Sequence, residues 1–543
     1  MTSPAYETIL AYHQGSKHHF DRYAPSPGTM DWANQPNPFR FYDGAEQIPL
    51  PLTRKDPDCP YDDLYLPPEG KGLPLQISTL GSFLALSLGL SAWKVAGGAR
   101  RWSLRINPSS GNLHPTEGHL ILPALTGLAG GVFHYSPFRH GLERRSGLPS
   151  GCWASVEPHF GGPGFLLALT SIFWRESWKY GERAYRYCAL DAGHALAAIS
   201  FAARLHRWQA TCLTGAGDEQ IETILGFPDM VWATGGAEIP ELICWISTVS
   251  PEHPVSQRLP RNWDRHFVGA SFAGVPNPLS RQAVKWPVID AVAEAGRKPE
   301  TRPNPIDNHL IISAPLPSEP VDASAAAILR RRRSAVSYNP GKSIAASVFF
   351  SIVSRTLFRL DAPPFGVGLS APDVNLLIFV HRVDGLTPGL YFLGRALAAA
   401  DRCRNAWRDG FLWTPSHSTL PLWLLKEMDV TFEAMKLSCH QEIAGNSAFA
   451  VAMIAPLKER LKQATNAYRR LYWECGMIGQ VLYLEAEAHG IRGTGIGCFF
   501  DDPVHHLLGI KDDADQNLYH FTVGHPVEDI RLTTLPAYYH LNR

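Results

Sequence analysis

Short apolar runs bounded by turn residues alternate with helical stretches along this chain, and the whole alternation occurs twice. In the first half Leu80, Phe83, Leu84 and Leu88 recur at helical spacing within the uncharged stretch Leu73 to Trp93. That spacing predicts a buried amphipathic helix, because Pro74, Gln76, several serines and two interior glycines unsuit the stretch to a membrane. A strand pattern follows at Gly118 to Leu122 and is matched by Asn375 to Val380 in the second half. Each leads to the same kind of turn, Leu128-x-x-Gly131-Val132-Phe133 and Leu386-x-x-Gly389-Leu390-Tyr391. Phe165 to Phe173 and Phe449 to Ala455 read as further strands, each running into a long helix. In the first copy the later part of that helix carries the small-residue stripe Ala192, Ala195, Ala198 and Ala202, suited to close packing against another helix. Helices with a mixed sheet in each half predict an α+β layer fold.

Individual residues repeat as well. Ala184-Tyr185-Arg186, Gly193, Asp218 and Leu225-Gly226 return as Ala467-Tyr468-Arg469, Gly476, Asp501 and Leu508-Gly509, at one constant offset of 283. Two related domains in one chain account for this. The boundaries follow from composition: an aromatic, Pro-rich arm over 1–72, a first domain over 73–250, a connector over 251–321 and a second domain over 322–543. The arm's many aromatic residues suit an ordered segment wrapping the first domain. Between Arg297 and Pro320 the connector carries six prolines, as an extended boundary would.

Fifty basic and fifty acidic residues cancel, which argues against nucleic acid or an anionic membrane surface as partner. Nine cysteines without a C-x-x-C pair suggest neither a disulfide framework nor a zinc site, and read as reduced thiols in a cytoplasmic protein. The start, MTSPAYETIL, has no signal-peptide character. No Walker loop or G-x-S-x-G elbow is present, and no metal ligands stand out. Gly493-Thr494-Gly495-Ile496-Gly497 is not read as a dinucleotide fingerprint, since it follows a helix where that motif follows a strand.

Three clusters could carry chemistry. Arg330-Arg331-Arg332-Arg333-Ser334 ends a short helical run; adjacent guanidiniums and a hydroxyl suit a phosphate, and equally a solvated helix end. Arg105-Ile106-Asn107-Pro108-Ser109-Ser110-Gly111-Asn112-Leu113-His114-Pro115 displays amide and hydroxyl groups on a stiff loop, fit for the polar edge of a flat heterocycle or for a plain Asx turn. Lys179-Tyr180 is a proton-transfer pair if burial brings both groups toward neutrality, and otherwise an ordinary helix face. Lys179 aligns with Lys462 but Tyr180 aligns with Gln463, so only the first copy has the pair.

With these residues the chain resembles a tandem member of the FMN-dependent nitroreductase superfamily, and most of all its SagB/ThcOx-type dehydrogenases, which oxidise azolines to azoles in ribosomal peptides. The runs Arg105 to Glu117 and Lys179 to Tyr187 carry the resemblance, with Asp191-Ala192-Gly193-His194 and the Leu213-Thr214-Gly215 to Leu225-Gly226 stretch. The second half is similar more weakly, through Arg332-Arg333-Ser334, Gly493-Thr494-Gly495 and the tail from Val523 to Arg531. Where the family often has another Arg two residues after the Ser, Val336 stands.

The resemblance implies two nitroreductase-like domains folded as an intramolecular pseudo-dimer, with further oligomerisation left open. It implies FMN as cofactor. Arg332, Arg333, Ser334 and Arg531 would hold its phosphate, with the loop Gly493, Thr494 and Gly495. Asn107, Ser109, Ser110 and Asn112 would face the ring, Arg105 and Pro108 would also bind the cofactor, and Lys179 and Tyr180 would be catalytic, Tyr180 removing a substrate proton. The losses are complementary: Pro363-Pro364-Phe365-Gly366-Val367-Gly368 replaces the Pro-Ser-Ser loop in the second half, and Leu88-Gly89-Leu90-Ser91-Ala92 replaces Arg-Arg-Ser in the first. One intact composite site and one decayed site are expected. The substrate implied is a small molecule or a modified peptide; an NAD(P)H-dependent nitro or quinone reductase, and a scaffold with a decayed flavin site, are the alternatives.

Overall fold

The protein is described by a computed structural model covering residues 3–541, except 53–54, 98–99, 251–252, 304–305, 307–311, 313–320 and 511–513. Two seven-stranded sheets are built to the same plan. In the first, the strands lie side by side as Glu46–Pro49, Gly141–Gly147, Gly131–Ser136, Thr116–Leu122, Gly164–Ser171, Ile239–Ser247 and Gln209–Cys212. In the second the order is Thr414–Pro415, Leu422–Glu427, Gly389–Leu393, Asn375–Val380, Phe449–Ala455, Gln516–Gly524 and Arg492–Ile496. The expected α+β layers are present, but both sheets are antiparallel throughout rather than mixed. The reason is topological. The long helix of each unit connects two strands that run the same way but are kept apart by the strand inserted between them, so no parallel pair forms.

The two long helices, Ala184–Leu205 and Ala467–Ala488, have 22 residues each and cross at the centre of the molecule. Their crossing explains the repeated Gly. A Cβ on Gly193 would stand 2.2 Å from the Trp473 carbonyl oxygen, and one on Gly476 2.2 Å from that of Leu190. Neither helix has room for a side chain there. Residues of both helices and both sheets share one apolar cluster, while each unit has a second cluster on the outer face of its sheet. The repeated Arg and Asp meet across the same axis. Arg186 of the first unit binds Asp501 of the second at 2.7 Å, and Arg469 of the second binds Asp218 of the first at 2.8 Å. All four side chains are buried, and Tyr185 stacks on Tyr468 between them. The molecule is thus a pseudo-dimer within one chain.

Burial alone would raise the Asp501 carboxyl, but Arg183 and Arg186 overcome this and hold it far below the usual carboxylate range. Its folded-state value lies below the unfolded value near ~4, so its contribution is complete above that pH and is lost as pH falls below it. The urea midpoint should therefore drop between about pH 5 and pH 3 more steeply for the wild type than for Asp501→Asn. Equal slopes would show that this carboxylate does not couple to folding.

Three local expectations change. The helix predicted over Leu73 to Trp93 is confined to Ile77–Ser87, and the chain then becomes the strand Leu90–Ala96. Gly89 allows that bend, since a Cβ there would press on the Tyr538 hydroxyl and the Ala85 carbonyl. The strand pairs on one side with Arg100–Arg105 and on the other with Leu532–Leu535, so the tail of the second unit completes a sheet of the first. The N-terminal arm does not keep to the first domain: His13 bonds Gln516, and Lys17 bonds Asp502. Of the Pro-rich connector, 304–305, 307–311 and 313–320 lie outside the described residues; its helix Pro287–Ala295 packs on the arm helix Pro4–Gly15. Among the described residues no helix is long and apolar enough to cross a membrane.

Candidate functional site

A cavity of about 460 Å³ opens where the units meet. The first unit supplies the loop after the strand Arg100–Arg105 together with Tyr180, Tyr187 and Asp191; the second supplies Arg332, Arg333, Ser334, Tyr483 and the strand Arg492–Ile496. The loop is fixed by its own bonds. Gly111, Asn112 and His114 take left-handed φ of 59°, 61° and 55°. The Ser109 hydroxyl accepts from the His114 N–H at 2.7 Å, and the Asn112 amide donates to the Ser103 carbonyl at 2.9 Å. Ser110 donates its N–H and its hydroxyl to Asp191, each at 3.1 Å, which ties the loop to the first long helix. A polar edge is held rigidly, as expected of a loop that meets a planar ligand.

The run of four arginines divides sharply. Arg330 pairs with Asp56 and Arg331 with Glu487. Arg332 and Arg333 face the cavity, and among the described residues neither meets a carboxylate. Arg332 donates to the Arg105 carbonyl at 2.8 Å and lies over the Tyr483 ring, with its Nε buried and unpartnered. Arg333 reaches the Ser91 carbonyl and hydroxyl and the Arg330 and Arg332 carbonyls. Burial, then the neighbouring Arg332 and Arg492, push its pKa down to about 10. Two crowded guanidiniums with no ion pair among the described residues are relieved by an anion. Ser334 completes the group, its hydroxyl 2.8 Å from the Tyr483 hydroxyl, which also accepts from the Gly495 N–H at 3.0 Å.

Lys179 and Tyr180 end the helix Phe173–Tyr180, and the Lys179 ammonium lies 5.1 Å over the Tyr180 ring. Both crowd Gly111: a Cβ there would be 2.6 Å from the Tyr180 hydroxyl and 3.2 Å from the Lys179 Nζ. Behind them Glu176 and Asp191 are buried together. Burial and Asp191 raise the Glu176 carboxyl well above its usual range, and burial brings Asp191 up to about 7. The proton-transfer expectation changes in one respect. Burial, then the Glu176 charge, push the Tyr180 phenol well above its ordinary value rather than toward neutrality. Tyr180 stays protonated and is suited to donating a proton, whereas removing one would require that it give up its own.

The cavity gathers Arg105, Pro108, Ser109, Ser110, Asn112, Tyr180, Arg332, Arg333, Ser334 and Gly495. Lys179 stands just behind this wall, and Asn107, Gly493 and Thr494 are outside it. Arg531 does not reach it; its side chain is 84% exposed and paired with Asp529. The cation nearest that role is Arg492, which lines the cavity and pairs with Glu528, joined by Lys94 from the first unit. Sequence reasoning also missed Tyr483, Tyr519 and Cys498. Arg492 adjoins the Gly493-Thr494-Gly495 run and was the one accessible from it.

The related place on the other side of the axis is built differently. A second cavity, of about 540 Å³, is lined by Cys212 and Thr214, which stand 283 residues before Gly495 and Gly497. The loop Pro363 to Gly368 does not display polar groups to it; Phe365 and Val367 are buried in the core, with Arg395 stacked on Phe365. Arg460 and Arg470 are both neutralised by Asp373. Leu88 to Ala92 is not the first unit's counterpart of Arg-Arg-Ser. Pro60 pairs with Ser324 through two equivalent bonds, Tyr61 N–H to the Ala323 carbonyl and Ala325 N–H to the Cys59 carbonyl. This makes Asp62–Tyr65 the counterpart of Ala325–Arg331 and puts the sought position within 66–70, which reads Leu-Pro-Pro-Glu-Gly. Ser91 instead receives Arg333.

Residues 424–525 match the family model described as the Nitroreductase family. The fold is shared with a candidate nitroreductase from Anabaena variabilis, 21% identical, with a TM-score of 0.66 over 96% of this chain and 99% of that one. A candidate nitroreductase from Ralstonia eutropha is 17% identical over 42% of this chain and all of its own, with a TM-score of 0.28. An Escherichia coli microcin synthetase complex is 15% identical over 41% of this chain and 80% of that one, with a TM-score of 0.29. At such scores the last two add nothing to the argument. No curated protein matches this chain.

Proposed function

We propose that this chain is an FMN-dependent oxidoreductase with one composite site, of the SagB/ThcOx-like dehydrogenase type. The observation that carries the reading is the division of the arginine run, which leaves Arg332 and Arg333 without an ion pair among the described residues, beside Ser334 in the cavity lining. The donor set fits the cofactor: guanidiniums and a hydroxyl for a phosphate, and the rigid Ser109 to Asn112 edge for a flat ring. FMN when bound would supply hydride transfer at its N5. Arg332, Arg333 and Ser334 would fix the phosphate, with Arg492 adding positive charge. Lys179 would supply positive charge beside the ring edge. In azoline oxidation the Tyr180 hydroxyl would take the substrate proton as it gives its own to the buried Glu176–Asp191 pair; in a reduction it would donate its proton to the substrate. An azoline-bearing peptide is the proposed substrate class, supported by the Lys-Tyr resemblance; reduction of a nitroaromatic or quinone by NAD(P)H uses the same site.

Arg333→Ala tests the reading. Losing one charged hydrogen-bonding group costs about 1.5–3 kcal/mol, so FMN affinity should fall by roughly 10- to 150-fold, measured by quenching of flavin fluorescence on titration. Unchanged affinity would place the phosphate elsewhere.

A further inference from the structure

Two cysteines with no part in the proposed oxidoreduction meet at the edge of the cavity. Cys498 follows the strand Arg492–Ile496 and lines the cavity with Tyr180, Tyr187 and Gln441. Cys439 sits in a turn where it and His440 take left-handed φ of 53° and 58°. Gln441 anchors that turn to the neighbouring segment, its Nε2 donating to the Cys498 carbonyl at 2.9 Å. The two segments are also joined by the Phe500 N–H, which donates to the Leu437 carbonyl at 2.9 Å, so that the two thiols and the His18 ring of the N-terminal arm act on one another electrostatically. The His18 tautomer is set by one nitrogen: Nδ1 accepts from the Ala24 N–H at 2.9 Å, which leaves the proton on Nε2.

This surrounding makes the sulfurs unequal. The Cys439 S–H, then the His18 N–H and the Arg183 charge, stabilise Cys498 as thiolate and bring its pKa down to about 5 against burial. Cys439, the donor, is pushed the other way. Both side chains are partly exposed, whereas six of the other seven cysteines are buried; Cys59 is the exception.

We infer that Cys498 and Cys439 form a redox-active dithiol that reduces small disulfides at the cavity wall. The Cys498 thiolate attacks one sulfur of R–S–S–R, forming a bond to it and expelling RS⁻. Cys439 gives its proton to that leaving thiolate, attacks the Cys498 sulfur and expels the second RS⁻. The protein gains one disulfide and loses two electrons; R–S–S–R gains them and leaves as one thiol and one thiolate. The inference is independent of the flavin.

Full-length protein would be incubated with oxidised glutathione, its free thiols blocked with N-ethylmaleimide, and its peptides identified by mass spectrometry. The wild type should yield a peptide containing Cys439 joined to one containing Cys498. Cys439→Ser should halt at a glutathione adduct on Cys498, because the resolving thiol is gone. Cys498→Ser should give neither product and react at least about tenfold more slowly. No joined peptide in the wild type, or an adduct in Cys439→Ser no more abundant on Cys498 than on Cys59, would overturn the assignment.

Discussion

Tyr180→Phe is expected to keep FMN and to lower turnover by about 10²- to 10⁴-fold, the usual range for a lost proton-transfer group. The hydroxyl stands at the cavity wall against Gly111, 2.6 Å from where a Cβ of that residue would be, so a ring of the same shape without oxygen leaves the loop undisturbed. The proposed phosphate ligands Arg332, Arg333 and Ser334 come from the other unit and are not touched by the change. Lys179→Ala should likewise keep the cofactor and lose turnover, through removal of the charge above the phenol. The elevated Tyr180 pKa adds a sign: activity that uses the protonated phenol persists through neutral pH and declines only where the phenol ionises, above its ordinary value near ~10. Turnover and flavin content measured on the same preparations check this. Wild-type turnover in both variants would remove Lys179 and Tyr180 from the chemistry.

Arg469→Ala should destabilise the protein by about 3–5 kcal/mol, a large share of the stability of any domain. Arg469 is the sole guanidinium on Asp218 among the described residues, contacting both carboxylate oxygens at 3.1 and 2.8 Å, and Asp218 is 3% exposed. Removing the cation leaves a buried charge that keeps, among the described residues, a hydrogen bond from the Lys298 backbone N–H. The double variant Arg469→Ala/Asp218→Ala should recover part of the loss, since it removes the stranded charge as well. Urea unfolding of the wild type and the three variants, the Asp218→Ala single included, decides it. A double variant less stable than Arg469→Ala would show that Asp218 contributes chiefly through the backbone it holds. On the other side of the axis Asp501 keeps a second partner, Arg183 at 3.0 Å, so that pair is buffered where this one is not.

The repeat was the most legible part of the sequence because it is the interface itself. Tyr185, Arg186, Gly193 and Asp218, with their copies 283 residues later, are the groups that touch across the axis, and a contact between like elements constrains both copies at once. The meaning of those positions was not legible, since nothing in the spacing says that Arg186 bonds an aspartate of the other unit. Local runs placed the Pro108 to Asn112 loop and the arginine cluster. They did not show that Arg330 and Arg331 are neutralised, because Asp56 and Glu487 lie far away in the chain. The same limit hid Tyr483, whose role comes from facing Ser334 across 149 residues, and it misdirected the search for the lost Arg-Arg-Ser toward Leu88 to Ala92. Tyr180 shows a different limit. Its neighbour Lys179 is visible in the sequence, but the burial and the Glu176 and Asp191 charges that raise its pKa are gathered by the fold.

The visible absorption spectrum of the purified chain, followed by heat release and quantification of its flavin, tests the single composite site most directly. The account predicts a yellow protein carrying close to one FMN per chain. Two FMN per chain would contradict the decayed second site, and a colourless protein that takes up no added FMN would contradict the proposed function.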